Sequence, residues 1–165
     1  MSWSDRRAVL GALAGLPLLT AGCFRPMLAE GGAAAGVLGK VKLPEIDGRF
    51  GYFLVKSLED RLGRPGSTQY RLDVTTSITE QGIAVAQDNS VTRITLVAEA
   101  DWTLWREGES VPLLRNSEVS QSGYGATSSL YATRQTRRDI ERRLARDLGE
   151  RIARAVLAQA GQFAS

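Results

Sequence analysis

Residues 91–106, VTRITLVAEADWTLWR, alternate between two kinds of side chain along their whole length. A period of two is typical of a β-strand with one buried and one solvated face. The stretch therefore predicts a long strand that covers a hydrophobic core. One face carries Ile94, Leu96, Ala98, Ala100, Trp102 and Leu104, and the other carries Arg93, Thr95, Val97, Glu99, Asp101, Thr103 and Trp105.

The segment before this strand predicts a similar one. Tyr70–Ile78 alternate between an apolar face and a face of charged and hydroxyl side chains. Turn-forming residues follow at 81–82 and again at 87–89. Residues 83–86 between these turns either continue the strand past a bulge at Gly82 or form the edge of a hairpin.

Two more strands are predicted, one at each end of the sheet. After a turn at 107–110, the chain returns from Val111 to about Tyr124 as a more polar antiparallel strand. Near the start, Val37–Leu43 alternate and Pro44 ends the segment, which predicts a short first strand.

Two segments have a helical period instead. Asp47 can cap a helix that runs to about Leu62, and Gly63 with Pro65 ends it. A second helix is predicted from about Ala132 to Gln159, with a basic face that is more typical of a solvated surface than of a binding site. Its apolar stripe consists of Ile140, Leu144, Leu148, Ile152 and Val156.

The order β-α-β-β-β-α predicts an α+β fold. The helix in the first crossover favours a parallel first pair of strands, and the short turns favour an antiparallel meander for the rest. One apolar face per element favours a two-layer sandwich, a four-stranded mixed sheet with two helices on one face. We assign residues 37–160 to this single domain and residues 161–165 to a disordered tail.

The N-terminus has the features of a bacterial lipoprotein signal. Arg6 and Arg7 precede the apolar stretch Ala8–Leu19, and Ala21-Gly22 lead directly to Cys23, the only cysteine. We therefore expect residues 1–22 to be a signal peptide, Cys23 to carry an N-acyl diacylglycerol anchor, and residues 23–36 to be a flexible tether. The alternatives are a secretory signal with a free cysteine or an uncleaved anchor.

Composition narrows the possible functions. The chain has no histidine, which excludes histidine-dependent triads, histidine metal ligands and the usual general base near neutral pH. Its net charge of +3 falls to +2 once Asp5, Arg6 and Arg7 are removed, too little to indicate a nucleic-acid partner. We expect no enzyme, no metal and no cofactor beyond the covalent lipid.

Four arginines are candidates for anion binding. Arg71, Arg93, Arg106 and Arg115 lie among threonines and serines on the polar side of the predicted sheet or in its loops. Guanidinium groups bind phosphates in a bidentate manner, so the set suits an anionic amphiphile or a polyanion. Neighbouring acids could equally neutralise the arginines. Two of these acids, Glu99 and Asp101, share a face as in a glycosidase pair, although an exposed polar face explains them better.

Together these elements resemble the lipopolysaccharide-assembly lipoprotein family LptE in its alphaproteobacterial form. The resemblance rests on Cys23 followed by Phe24-Arg25-Pro26-Met27, on the three strand motifs Tyr70–Leu72, Val91–Leu96 and Ala100–Leu104, and on Tyr131–Thr133 at the start of the last helix. It covers essentially the whole chain after Cys23.

The resemblance implies a non-enzymatic function. A member would be anchored at the periplasmic face of the outer membrane, plug an LptD-like β-barrel, assist its assembly and help deliver lipopolysaccharide to the cell surface. The implied partners are this barrel, lipopolysaccharide and the membrane, without nucleic acid. The alternative is a generic envelope lipoprotein that binds another anionic polymer or acts as an assembly factor.

Overall fold

The computed structural model describes residues 32–85, 91–125 and 129–164. The predicted signal peptide, Cys23, the first part of the tether and the predicted turn at 87–89 lie outside these residues. In chain order the elements are β1 (Val41–Lys42), α1 (Gly48–Leu62), β2 (Tyr70–Val85), β3 (Val91–Arg106), β4 (Pro112–Gly125), α2 (Leu130–Ala158) and a 3-10 turn (Ala160–Gln162).

The four strands form one mixed sheet in the order β1-β2-β3-β4. β1 pairs with β2 in parallel, and both other pairs are antiparallel. This confirms the predicted α+β class and element order. The register of β2 on β3 shifts between Gly82 and Ala84 while β2 continues to Val85, which confirms the first of the two alternatives for this segment.

The core lies between the sheet and the helix layer. Trp102, Leu72 and Leu104 on the sheet are almost completely buried, as are Leu58 on α1 and Leu148 on α2. α2 packs against β3, β4 and α1. The helices cover the sheet less well near Ile78 of β2. This residue was predicted to lie in the core, but it remains 38% exposed.

A glycine allows the two helices to come close together. A Cβ atom at Gly149 of α2 would lie 2.7 Å from the Cβ of Ser57 and 2.8 Å from the carbonyl oxygen of Leu54 on α1. The Ser57 hydroxyl also donates a hydrogen bond of 2.9 Å to the Arg146 carbonyl oxygen. The backbone of α2 at Gly149 thus lies directly against Ser57 and the Leu54 carbonyl of α1, and a methyl group on residue 149 would not fit between the helices.

The first strand is shorter than predicted. Only Val41–Lys42 pair with β2, whereas residues 33–39 form turns closed by hydrogen bonds such as that from Val37 N–H to the Ala34 carbonyl, 3.1 Å. The apolar residues here are buried because the turns fold back onto the core. Ala34, at 1% exposure, belongs to that core, so the described part of the predicted tether packs on the domain.

The end of the chain also differs from the prediction of a disordered tail. Phe163 is 5% exposed, and its ring lies edge-on to that of Tyr70 with centroids 5.3 Å apart. Its carbonyl oxygen accepts a 3.0 Å hydrogen bond from Arg106. A buried aromatic side chain fixes residues that composition alone would leave loose.

Candidate functional site

The candidate site is the outer face of the sheet, which we define as the side of β2, β3 and β4 turned away from the helices. Directly paired residues of neighbouring strands point to the same side, so the register arranges the outer face in rows. These rows are Asp73–Thr103–Arg115, Thr75–Asp101–Ser117 and Ser77–Glu99–Val119. Most of the face is therefore polar, and hydroxyl groups separate its charges.

Arg71 is held at one end of the outer face by two contacts. Its Nε lies 3.3 Å from an Asp73 carboxylate oxygen, and its guanidinium carbon lies 5.5 Å from the ring centroid of Trp105 on the adjacent strand. The ring orients the guanidinium by a cation–π contact. The sequence left open whether a neighbouring acid neutralises this arginine, and Asp73 does so. Both side chains are about half exposed, so the ion pair is weak.

Arg115 lies in the next row and lines a shallow cavity of about 460 Å³. The side chain is exposed and, among the described residues, forms no ion pair. The cavity combines one guanidinium with two carboxylates, those of Asp73 and Asp101, and with hydroxyl groups that can both donate and accept hydrogen bonds. Its outer-face lining consists of Asp73, Thr75, Asp101, Thr103, Arg115 and Ser117.

The structure does not bring all four predicted arginines together. Arg93 is exposed on the outer face but lies at the opposite end, ten residues from Thr103 along β3, which is about 33 Å. Arg106 pairs with the buried Tyr70 and so lies on the helix side of the sheet. There its guanidinium lies 3.4 Å from Glu109 and 5.9 Å from the Tyr70 ring.

The placement of Arg106 corrects its assignment to the outer face. Its contacts fasten the chain end to the sheet, because it donates to the Phe163 carbonyl. The sequence contained the signal for this, since Arg106 is in phase with Leu104 and Trp102 of the buried face.

The pair of carboxylates considered for glycoside hydrolysis lies in the middle of the outer face. Glu99 and Asp101 are both exposed, and Glu99 accepts a hydrogen bond of 3.3 Å from the Ser117 hydroxyl. Two open carboxylates on a solvated face lack the enclosed environment in which such pairs divide acid and base roles. The geometry favours a polar surface over an active site.

Sequence patterns missed a polar cluster between β4 and α2. The buried Ser120 donates a 2.6 Å hydrogen bond to Asp147, which also accepts from Arg151 Nε at 2.9 Å. Further along the same face, burial raises the pKa of Tyr124 above its ordinary value of 10.0, and the negative charge of Glu80 adds to the effect. No local spacing links these residues, because they meet only through the packing of α2 on the sheet.

Two negative findings apply to residues 32–85, 91–125 and 129–164. No group of three or more cysteine, aspartate and glutamate side chains is placed to hold a metal ion. No helix there combines the length and apolar character needed to cross a bilayer.

Comparison with known families matches this chain to one of them. Residues 38–156 match the sequence profile of LptE, described as lipopolysaccharide-assembly. The match spans β1 to nearly the end of α2, and thus the sheet, both helices and the outer face. The chain belongs to the LptE family. No curated protein sequence matches it.

Solved structures share the fold of this LptE-family chain. A candidate lipoprotein of Caulobacter crescentus is 23% identical, with a TM-score of 0.60, over 79% of this chain and 96% of that one. Rare lipoprotein B of Shewanella oneidensis is 10% identical, with a TM-score of 0.63, over 76% and 99%. A minor lipoprotein of Acinetobacter baumannii is 14% identical, with a TM-score of 0.57, over 73% and 90%. At these identities the similarity shows the fold.

Proposed function

We propose that this LptE-family chain is an outer-membrane lipoprotein subunit of the lipopolysaccharide translocon. It would sit on the periplasmic face of the membrane, plug the lumen of an LptD-like β-barrel, assist the assembly of that barrel and help deliver lipopolysaccharide to the cell surface. The observation that carries the proposal is the family match over residues 38–156, which coincides with the whole sheet and its outer face.

The geometry of the domain supports a plug without catalysis. Two layers joined by a continuous core form a rigid body, and a polar outer face is compatible with the polar interior of a large barrel. Arg71, through its half-exposed ion pair with Asp73, and Arg115, which has no ion pair among the described residues, offer guanidinium groups to the phosphates of a lipid, with hydroxyl groups and the carboxylate of Asp101 beside them. We place lipopolysaccharide binding at these two arginines rather than at all four predicted ones.

Attachment is proposed to depend on Cys23, which lies outside the described residues. Each buried acyl methylene contributes about 0.8 kcal/mol, so two or more chains hold a protein stably at a bilayer. Replacing Cys23 by serine should release the protein from the outer-membrane fraction. Retention of the Cys23→Ser protein in that fraction, with its signal peptide removed, would contradict anchoring by this residue.

The translocon proposal is tested by affinity purification of the intact lipoprotein from membranes. The expected result is co-purification of one large β-barrel protein, and depletion should lower both the folded barrel and surface lipopolysaccharide. Recovery of a different envelope partner, with unchanged barrel and unchanged surface lipopolysaccharide, would overturn the assignment. That result would favour the alternative of a generic envelope lipoprotein or assembly factor.

A further inference from the structure

The first turns of α2 extend past the part of the helix that packs on the core. Residues 130–139 are exposed, apart from the half-buried Thr133, and the first fully buried residue of the helix is Ile140. At 1.5 Å per residue this is about 15 Å of helix. Helices in proteins are stabilised mainly by burial of one apolar face, so the core contributes little to holding these turns.

The charges of these turns do not favour a helix start. The backbone dipole of a helix favours acidic side chains near its N-terminus and disfavours basic ones. α2 has no acidic residue in its first turn, and Arg134, Arg137 and Arg138 all precede its first acid, Asp139. Arg134 and Arg138 also lie four residues apart, a spacing at which like charges repel. The helix gains no stability from this arrangement, which indicates that the arginines serve contacts with another molecule.

Two of the three arginines have no acidic partner. Arg137 forms ion pairs with Glu80 of β2 at 3.3 Å and with Glu141 at 3.0 Å, and it thus ties α2 to the sheet. Arg134 and Arg138 form no ion pair within the described residues. Their two exposed guanidinium groups are therefore open to carboxylates of a partner.

Exposed apolar side chains accompany these two arginines. Leu130 and Tyr131 are 72% and 73% exposed, and Leu130, Arg134 and Arg138 share one face because they are spaced four residues apart. The Gln135 amide donates a 3.2 Å hydrogen bond to the Tyr131 hydroxyl and holds the ring along the helix. Tyrosine and arginine are enriched at protein interfaces. We call Leu130, Tyr131, Arg134 and Arg138 the α2 stripe.

The α2 stripe lies at the end of the domain away from the predicted anchor. α2 begins five residues after β4 ends at Gly125, which pairs with Arg93 of β3. The N-terminal segment joins the sheet at the opposite end, where Tyr70 N–H donates a 3.1 Å hydrogen bond to the Lys40 carbonyl and Tyr70 pairs with Arg106. Thirteen residues of β3 separate these ends, or about 43 Å. A domain anchored at the periplasmic mouth of a barrel therefore carries the α2 stripe into the lumen.

On the basis of the proposed translocon function, we propose that the α2 stripe docks against an acidic patch on the lumen wall of the barrel. Its guanidinium groups pair with carboxylates of the wall, and its two apolar side chains pack beside them. The lumen of a large barrel is polar, and complementary charges across an interface fix the partner and its orientation. Arg71 and Arg115 lie at the opposite end of the domain, so docking leaves them available to lipopolysaccharide.

The test reverses the charge of the α2 stripe in the intact lipoprotein. Affinity purification of Arg134→Glu/Arg138→Glu from membranes should recover about tenfold less barrel than the unchanged chain, because acidic side chains would then face an acidic wall. The variant should unfold in urea like the unchanged chain, since both positions are exposed and glutamate is favoured near a helix N-terminus. Its binding of purified lipopolysaccharide should also be unchanged.

The matched control is Arg143→Glu/Arg154→Glu, which reverses the same charge at exposed positions farther along α2. It should lower recovery of the barrel by less than about twofold. An equal loss in both double variants would overturn the assignment, because net charge alone would then explain it. The exposed single change Tyr131→Ala tests the apolar part of the stripe without altering charge, with an expected loss of severalfold.

The unchanged chain separates this inference from the translocon proposal. If the unchanged chain recovers no barrel, the translocon proposal fails and the docking surface fails with it. If the unchanged chain recovers a barrel and Arg134→Glu/Arg138→Glu recovers as much, only the docking surface is overturned. Loss of lipopolysaccharide binding in that variant, with the barrel retained, would also overturn the assignment and would indicate that the stripe binds lipid phosphates.

Discussion

The two faces of β3 share one backbone and the same two neighbouring strands, but one face is buried beneath the helices and the other faces solvent. Leu96, Ala98, Ala100, Trp102 and Leu104 are 0 to 1% exposed beneath the helices, whereas Glu99 and Asp101 between them face solvent. Residues that stabilise the fold thus alternate, one by one along a single strand, with residues of the face to which the proposed function is assigned. Changes on the helix face should act on stability, and changes on the outer face should act on binding.

The largest expected effect is that of Trp102→Ala on the helix face. Truncating a completely buried tryptophan removes its apolar contacts and leaves a cavity, at a cost of about 3–5 kcal/mol in the free energy of unfolding. Its neighbour Thr103 faces outward, and Thr103→Ala should change stability by no more than about 0.5 kcal/mol. Urea unfolding of both variants measures the contrast, and similar losses in the two would contradict the separation of the faces.

The next effect concerns the helix layer that covers this face. Gly149→Val places methyl groups against Ser57 and the Leu54 carbonyl, where even one Cβ atom lies within 2.8 Å. Such overpacking costs about 1–3 kcal/mol, because α1 must move away from α2. Thermal unfolding should show a lowered midpoint. An exposed control on the same helix, Ala158→Val, should leave that midpoint nearly unchanged.

Alkaline pH is expected to lower the free energy of unfolding by a smaller amount, through a tyrosine on the helix face. Burial raises the pKa of Tyr124, so the folded state favours the neutral phenol. Its contribution to stability is complete below the unfolded pKa near 10.0 and is lost as pH rises through the folded value. Unfolding in urea at increasing pH should therefore show a steeper loss in the unchanged chain than in Tyr124→Phe. Equal losses would contradict this role.

Periodicity along the chain was enough to predict most of the fold. The boundaries of β3 agree with the prediction, and α1 and α2 begin and end within two residues of it. These elements have one dominant apolar stripe each, so local pattern and tertiary burial agree. β1 was predicted too long, because the apolar residues near Val37 are buried by turns rather than by strand pairing.

The site was less predictable, for a physical reason. The alternation of side chains along the strands places Arg71 and Arg115 on the outer face. The same alternation places Arg106 on the helix side, in phase with Leu104. The separation of Arg93 from the other two follows only from the length and register of the long strands. The contact of Arg146 with the ring of Phe53 joins two helices, and these residues lie about ninety positions apart in sequence, so only the packing of the helices reveals it.

The smallest effect on stability, combined with a large effect on binding, is expected for Arg71→Gln/Arg115→Gln. Both side chains are on the outer face and outside the core, so the free energy of unfolding measured in urea should change by no more than about 0.5 kcal/mol. Binding of purified lipopolysaccharide should fall about tenfold, since charge-assisted contacts to phosphate are lost. The control Arg134→Gln/Arg154→Gln, which removes the same charge from exposed positions of α2, should bind normally.

The decisive measurement is this lipopolysaccharide titration, carried out on the same samples as the urea unfolding. Weakened binding with unchanged stability in Arg71→Gln/Arg115→Gln is the predicted result, because the outer face is proposed to bind lipopolysaccharide while the helix face stabilises the fold. Unchanged binding in that variant, or binding that falls only together with stability, would contradict the division between the two faces of the sheet.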